Sequence, residues 1–303
     1  TKIYAASLMR MRDRDFTAVP HQEGIAPEWP FQYADLEPYY TAAEQLYQEH
    51  GDAQTDPTEP PRSSDYPYPA IAHAPMLQPL VEAITKQDLH PTSLPLSLTR
   101  QEDDPTGDSE VFGIYLALKH HNVTLKTSAK VIGLHTNTAG TEIKGVQAEV
   151  GEQSFLFSAD IVVLACGAVN SAALLLASAN EQHPHGLANR SDQVGRNLMK
   201  QQLTVLVERF ASENSGTFPR SVSVNDYYWG YGDYPYPMGH IENSGGLLQD
   251  VIFAESPPLL SVLAQILPGE RLKGLAIHSG GWCAQSGMLP DAKNRVYWKK
   301  GKL

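Results

Sequence analysis

The spacing of apolar and polar positions predicts helices and irregular crossings over the first third of the chain and strands beyond it. Leu36, Tyr39, Tyr40, Ala43, Leu46 and Tyr47 recur three and four residues apart, which puts them on one face of a helix. Asp35 is suited to cap that helix and Gly51 to end it. A second helix is predicted over 76–88, with Leu77, Leu80, Val81 and Ile84 on one side. Between the two, Pro57, Pro60, Pro61, Pro67 and Pro69 abolish periodicity. An ordered crossing anchored by Tyr66, Tyr68 and Ile71 is expected there. Residues 99–109 read as a polar, acidic loop, and 111–118 as helical. Strands are predicted over 123–125, 130–135, 143–150 and 154–157, with Gly140 and Gly151 at turns. The last three make a meander that leads into 160–165. This is a continuous apolar run of the kind found in parallel strands buried on both faces. A helix follows, with Asn170 as its cap.

The junction after that run carries the most chemistry. A buried strand would deliver the chain to Ala165, Cys166, Gly167 and Ala168, all small, and the next helix would point its first amides at the same crevice. Gly167 is the hardest of these to replace, because a side chain there would fill the ligand's place. The bland alternative is an ordinary strand–turn–helix crossover. The chain contains no G-x-G-x-x-G.

Composition narrows the partners. The chain has 303 residues, 42% hydrophobic, and a formal net charge of −11, so it can bury a core but lacks the basic patches that phosphate backbones need. The stretch Met9-Arg10-Met11-Arg12-Asp13-Arg14 is short and mixed in charge, and a turn or helix with a solvated face is expected. No apolar run reaches the length of a transmembrane helix. The start at Thr1 shows no signal-peptide pattern. Both ends read as cuts through structured regions. Two cysteines, Cys166 and Cys283, cannot build a zinc cluster, and free thiols are expected. His120-His121 and His183-Pro184-His185 lack helical ligand spacing and read as surface histidines, so no metal site is assigned. Ser286 lacks the glycine that a nucleophile elbow requires. Tyr227-Tyr228-Trp229, Tyr231, Tyr234 and Tyr236 could pack a loop or stack on a sugar. His278, Trp282 and Gln285 sit on an expected strand whose alternation could direct side chains toward a cofactor.

In combination and order these segments resemble the glucose–methanol–choline (GMC) oxidoreductases. The run from Gly167 to Ser178 is similar to that family's second signature, with Ala179 in place of its glycine and Ala172 in place of its proline. Gly186-Leu187 with Val194-Gly195-Arg196-Asn197-Leu198-Met199 resembles its next block. Trp29-Pro30 through Ala43-Glu44 resembles the helix after the first flavin-contact loop. Residues 122–131 resemble the strands at the adenine end of the cofactor, and 290–296 a stretch near the end of the substrate domain.

The resemblance implies a mixed α/β (α+β) fold: a partial FAD-binding, Rossmann-like domain with a three-stranded β-meander, plus part of an antiparallel-sheet substrate domain. The implied divisions are a flavin-contact loop and start of the cap over 1–20, a helical and Pro-rich cap region over 21–105, FAD-binding domain over 106–200 and substrate domain over 201–303. It implies FAD and oxidation of the CH–OH group of an alcohol, polyol or sugar, with the electron acceptor unspecified. Thr1, Tyr4, Ala5 and Ala6 would border the pyrophosphate and isoalloxazine. Val131 would hold the adenine through its backbone, and Ala165, Cys166 and Gly167 would approach the cofactor. Lys2 and Ile3 stand where a covalent subgroup places its histidine, so non-covalent FAD is expected. The glycine fingerprint is expected before Thr1 and the catalytic histidine beyond Leu303, leaving no catalytic residue to name here. An internal gap near 101–109 is also conceivable. The chain alone is expected to be inactive. The alternatives are a catalytically dead remnant and an unrelated nucleotide-binding module.

Overall fold

The computed structural model describes residues 7–97, 109–210, 220–245 and 278–299. The chain divides into two compact units, Thr1–His120 with Gln201–Gly287, and His121–Lys200 with Met288–Leu303.

The first unit holds most of the sheet structure. Strands β1 (Val19–His21) and β2 (Gly24–Ala26) form a hairpin. Strand β3 (Glu49–Gly51) lies between β4 (Tyr68–Pro69) and β6 (Leu96–Ser97). A five-stranded antiparallel sheet has the order β10-β13-β12-β11-β5, with β5 at Pro91–Ser93, β10 at Gln202–Arg209, β11 at Val222–Val224, β12 at His240–Gly245 and β13 at Ser279–Ser286. Helix α1 spans Tyr33–Leu46, α2 spans Gln78–Thr85 and the short α3 spans Tyr115–Ala117. One face of the large sheet packs apolar side chains: Val222 and Trp282 meet Leu77 and Ala74, with Val81 of α2 against them. The Pro-rich segment is an ordered crossing, as expected. Tyr66 is buried beneath the Arg62 guanidinium, and Ile71 packs on Leu94 and Leu96.

Two expectations fail in this unit, for one reason. Of the predicted face Leu36, Tyr39, Tyr40, Ala43, Leu46 and Tyr47, Tyr39, Ala43 and Leu46 are exposed, while Leu36, Tyr40 and Tyr47 are half-buried. The side that turns inward carries Tyr33, Glu37, Thr41 and Glu44, which surround Arg10. Arg10 and Arg12 are buried, not solvated. Their guanidiniums find enough carboxylate oxygen inside to offset the loss of water. The helix also starts earlier than expected, at Tyr33. Asp35 is its third residue and accepts from the Gln32 amide at 2.9 Å.

The second unit is built on an antiparallel meander of β7 (Ala129–Thr136), β8 (Ile143–Val150) and β9 (Gln153–Phe157). Helix α4 (Gly167–Ala177) packs on β7, with Leu174 against Leu134 and Leu187. The meander and its glycine turns fall where the sequence puts them. The run 160–165 does not form the buried parallel strand. It pairs with no strand among the described residues, and Ile161 and Val163 are each 80% exposed. Residues 123–125 are likewise unpaired. A strand apolar on both sides stays buried only between neighbours, and the meander's antiparallel ladder offers this run none.

Candidate functional site

The junction between the exposed run and α4 is the candidate site. The helix begins at Gly167, three residues before the expected cap, with Cys166 at the cap position contributing no side-chain hydrogen bond. The Cys166 amide donates to the Ser171 hydroxyl at 3.2 Å. The first amides of the helix receive no bond from the cap side chain, and a helix start of this kind favours an anion or polar ligand oxygen. Gly167 has φ +79°, a region that L side chains rarely adopt, and the position a Cβ would take has no atom within 4 Å. Ala165, Cys166 and Gly167 are all exposed, so their main chain is approachable from outside. Among the described residues no bulky neighbour fills the Gly167 position.

The support behind this tip is explicit. Ser178, the residue that caps the end of α4, donates from its hydroxyl to the Leu174 carbonyl at 2.7 Å and accepts from the Leu134 amide at 2.9 Å. It ties the helix to the central part of β7. The Leu187 amide donates to the Leu175 carbonyl at 2.9 Å, and Asn189 accepts from the Val194 amide at 3.0 Å. The segment after Met288 returns to this block. The Val296 amide donates to the Gly195 carbonyl at 2.8 Å, and the Leu198 amide to the Asn294 carbonyl at 2.9 Å. Asp192 sits between Arg295 and Arg196, which hold its carboxyl down at about 2.

Residues 108–203, the stretch that contains this site, match the family model described as GMC oxidoreductase. That stretch is what this chain shares with the GMC oxidoreductases. It is 29% identical over 222 residues to 6'''-hydroxyparomomycin C oxidase of Streptomyces lividus, covering 65% of this chain and 40% of that protein. It is 27% identical over 215 residues to the fructose dehydrogenase large subunit of Gluconobacter japonicus, covering 65% and 39%. Among solved structures, pyridoxine 4-oxidase from Mesorbium loti superposes with a TM-score of 0.57 at 14% identity, over 92% of this chain and 53% of that one, a likeness of fold. The chain therefore spans about two fifths of the length of the curated relatives it matches.

The matched stretch thus contains the open tip at Gly167 and the Ser178 tie behind it. Val131 lies on β7, partly exposed, beside a register irregularity between Val131 and Gly133. Thr1, Tyr4, Ala5 and Ala6 lie outside the described residues. Trp282 does not point to open space: it packs in the core of the first unit and donates from Nε1 to Glu208 at 3.0 Å. His183 is held by the Gly140 carbonyl at 2.7 Å, while His120, His121 and His185 are exposed. Among the described residues no three His, Cys, Asp or Glu side chains are grouped to hold a metal, and no helix is long and apolar enough to cross a membrane.

Sequence reasoning missed a second cluster, in the first unit. Arg12 donates to Asp56 at 2.6 Å, Asn225 donates to the same carboxylate at 2.6 Å, and His240 lies 2.7 Å from Asn225 and 3.2 Å from Glu242. Glu242 also receives Arg220 and Gln285. Thr92, Ser223 and Glu242 are successive register partners on one sheet face. The signal available in sequence was the alternation His240, Glu242 in a strand. It is legible only once the partner strand is known.

Proposed function

We propose that this chain is part of an FAD-dependent oxidoreductase that takes a hydride from the CH–OH carbon of an alcohol, polyol or sugar. The observation that carries the reading is Gly167: a left-handed glycine with open space where a side chain would stand, at the start of a helix, in the stretch that matches the family. FAD supplies the hydride acceptor when bound. The main chain of Ala165, Cys166 and Gly167 would face it, Val131 would take its adenine end, and Thr1, Tyr4, Ala5 and Ala6 would border its pyrophosphate and ring. Binding is non-covalent in this reading, since Lys2 and Ile3 provide no histidine linkage. No side chain of this chain is assigned as the base. The relatives named for fructose and for 6'''-hydroxyparomomycin C support a hydroxylated substrate, and the open tip supports a bulky planar ligand.

The test uses flavin retention. The 303-residue chain, loaded with FAD and passed through gel filtration, is expected to emerge colourless and to reduce no dye with alcohols. The longer protein that contains it is expected to emerge yellow and active. Gly167→Val in that protein is expected to abolish the 450 nm band while leaving the far-ultraviolet circular dichroism intact. A yellow Gly167→Val protein overturns the assignment of the tip, and a yellow, active 303-residue chain overturns the claim that this chain does not suffice.

A further inference from the structure

The second unit carries an open cleft of about 430 Å³ at the other end of α4 from the Gly167 tip. Gly167 and Leu176, which lines the cleft, stand about 13 Å apart along the helix axis. Val296, buried, and Leu176, half-buried, give the cleft apolar surface, while Arg190, Tyr297 and Trp298 line it from exposed positions. Its size falls within the range of small-molecule sites, about 300–1,000 Å³. The loop that brings Arg190 there is fixed. Gly186, at φ +102°, lies so close to α4 that a Cβ would stand 2.8 Å from the Leu176 Cα. Asn189 is buried, donates to the His185 carbonyl at 2.8 Å and accepts from the Val194 amide at 3.0 Å. Ala188 and Asp192 both hold φ +56°, uncommon for residues other than glycine. The lining holds two guanidiniums and one carboxylate. That carboxylate, Asp192, is already engaged by Arg295 at 3.0 Å and by Arg196. The Arg190 guanidinium has no hydrogen-bond or ion-pair partner among the described residues. In a chain of net charge −11 the cleft is therefore locally positive.

We infer that this cleft binds an aromatic carboxylate, with the Arg190 guanidinium forking onto the carboxylate and the ring packing against Trp298, Leu176 and Val296. The planar fork of a guanidinium matches the two oxygens of a carboxylate. One unpaired cation suits a monoanion better than a phosphate dianion. Tyr297 already has the Arg295 guanidinium 5.3 Å from its ring centre. Trp298 has no ring or cation partner among the described residues, which leaves its face for the ligand. A flat ring against tryptophan gains contact beyond area burial alone. The fixed loop holds Arg190 in place before binding, so less freedom is lost when the ligand arrives. The site is separate from the Gly167 tip and does not rest on the flavin reading.

The experiment is a calorimetric titration of the longer protein that contains this chain, with flavin absorbance followed in parallel. The probes are 2-naphthoate, 2-naphthamide and cyclohexanecarboxylate, which vary charge and ring separately. 2-Naphthoate is expected to bind without shifting the flavin absorbance, and the other two much more weakly. Arg190→Gln is expected to weaken 2-naphthoate about tenfold, in line with one lost charge-assisted pair. Trp298→Leu should weaken it about fivefold. Lys144→Gln, which removes an exposed cation of β8 outside the lining, should change nothing. The absence of 2-naphthoate binding overturns the proposal, as does Arg190→Gln binding like the parent. Either control probe binding as tightly as 2-naphthoate overturns it too, and so does binding that shifts the flavin band and survives Arg190→Gln. A protein that binds 2-naphthoate through Arg190 and retains no flavin would sink the oxidoreductase reading alone.

Discussion

In the first unit Arg10, Glu44, Glu49 and Asn225 occupy the kind of position that Leu134, Leu174, Leu187 and Val296 hold in the second. In the first unit buried guanidiniums meet buried carboxylates, and Arg62 joins Glu44 to Glu59 at 2.6 and 2.7 Å. The second unit is held by aliphatic contacts around Leu134, Leu174 and Leu187, and leaves Ile161 and Val163 bare in the run before Gly167. Charges paired indoors fix one geometry, because each guanidinium must meet its carboxylates in a fork. Aliphatic packing carries no such directional demand and is set by shape and volume.

The largest effect expected from breaking this contrast is at Arg10. It donates to Glu44 through Nε at 2.6 Å and Nη2 at 2.8 Å, and to Glu37 at 3.0 Å. Arg10→Met keeps the volume and removes the charge, leaving Glu44 short of a buried partner. Truncating one member of such a set costs about 3–5 kcal/mol. Urea denaturation should show that loss in the transition of the first unit. A loss below about 1 kcal/mol is what a solvated pair would give and would break the contrast.

The matching change in the second unit is Leu174→Ala, which opens the contact of α4 with Leu134 and Leu187. The expected loss is about 2–4 kcal/mol. It should appear as an earlier thermal transition with Arg10 chemistry untouched, since the two sets of side chains belong to separate units.

How much of this was legible in sequence follows the same division. The meander, the α4 helix and the Pro-rich crossing were readable because their signals are local: alternation, a leucine run, turn glycines. Gly167 stood out in sequence for the room a side chain would take from a ligand, while its left-handed φ of +79° is visible only in the structure. The burial of Arg10 and Arg12 was not readable. A basic stretch becomes an interior only when carboxylates from residues 37, 44 and 56 converge on it, and nothing local encodes that meeting. The inversion of α1 has the same origin, because its apolar stripe lost to a polar stripe with better partners. The strand expected over 160–165 failed in the other direction: its residues carry the right pattern, but pattern alone does not supply the neighbouring strands.

Glu49 sharpens the comparison further, with the opposite sign. It is wholly buried on β3, and neither carboxyl oxygen has a hydrogen-bond partner. Burial, followed by repulsion from Glu44, pushes its carboxyl up to about 9, with Arg62 and Arg10 pulling the other way. The folded protein therefore holds this proton at neutral pH, whereas the unfolded chain releases it near the ordinary glutamate value. Below that value both states are protonated and Glu49 adds no pH dependence. As pH rises from about 4.5 toward 9 the unfolded state is increasingly favoured, with a limiting slope of about 1.4 kcal/mol per pH unit. Glu49→Gln removes the titration while keeping the shape. The variant should therefore gain stability relative to the parent across that window, measured as urea midpoints from pH 5 to pH 8.5, and match its pH dependence below pH 4.5. Parallel curves for parent and variant across the window would mean that Glu49 is ionised in place. The polar interior of the first unit would then hold one more charge than its arginines compensate.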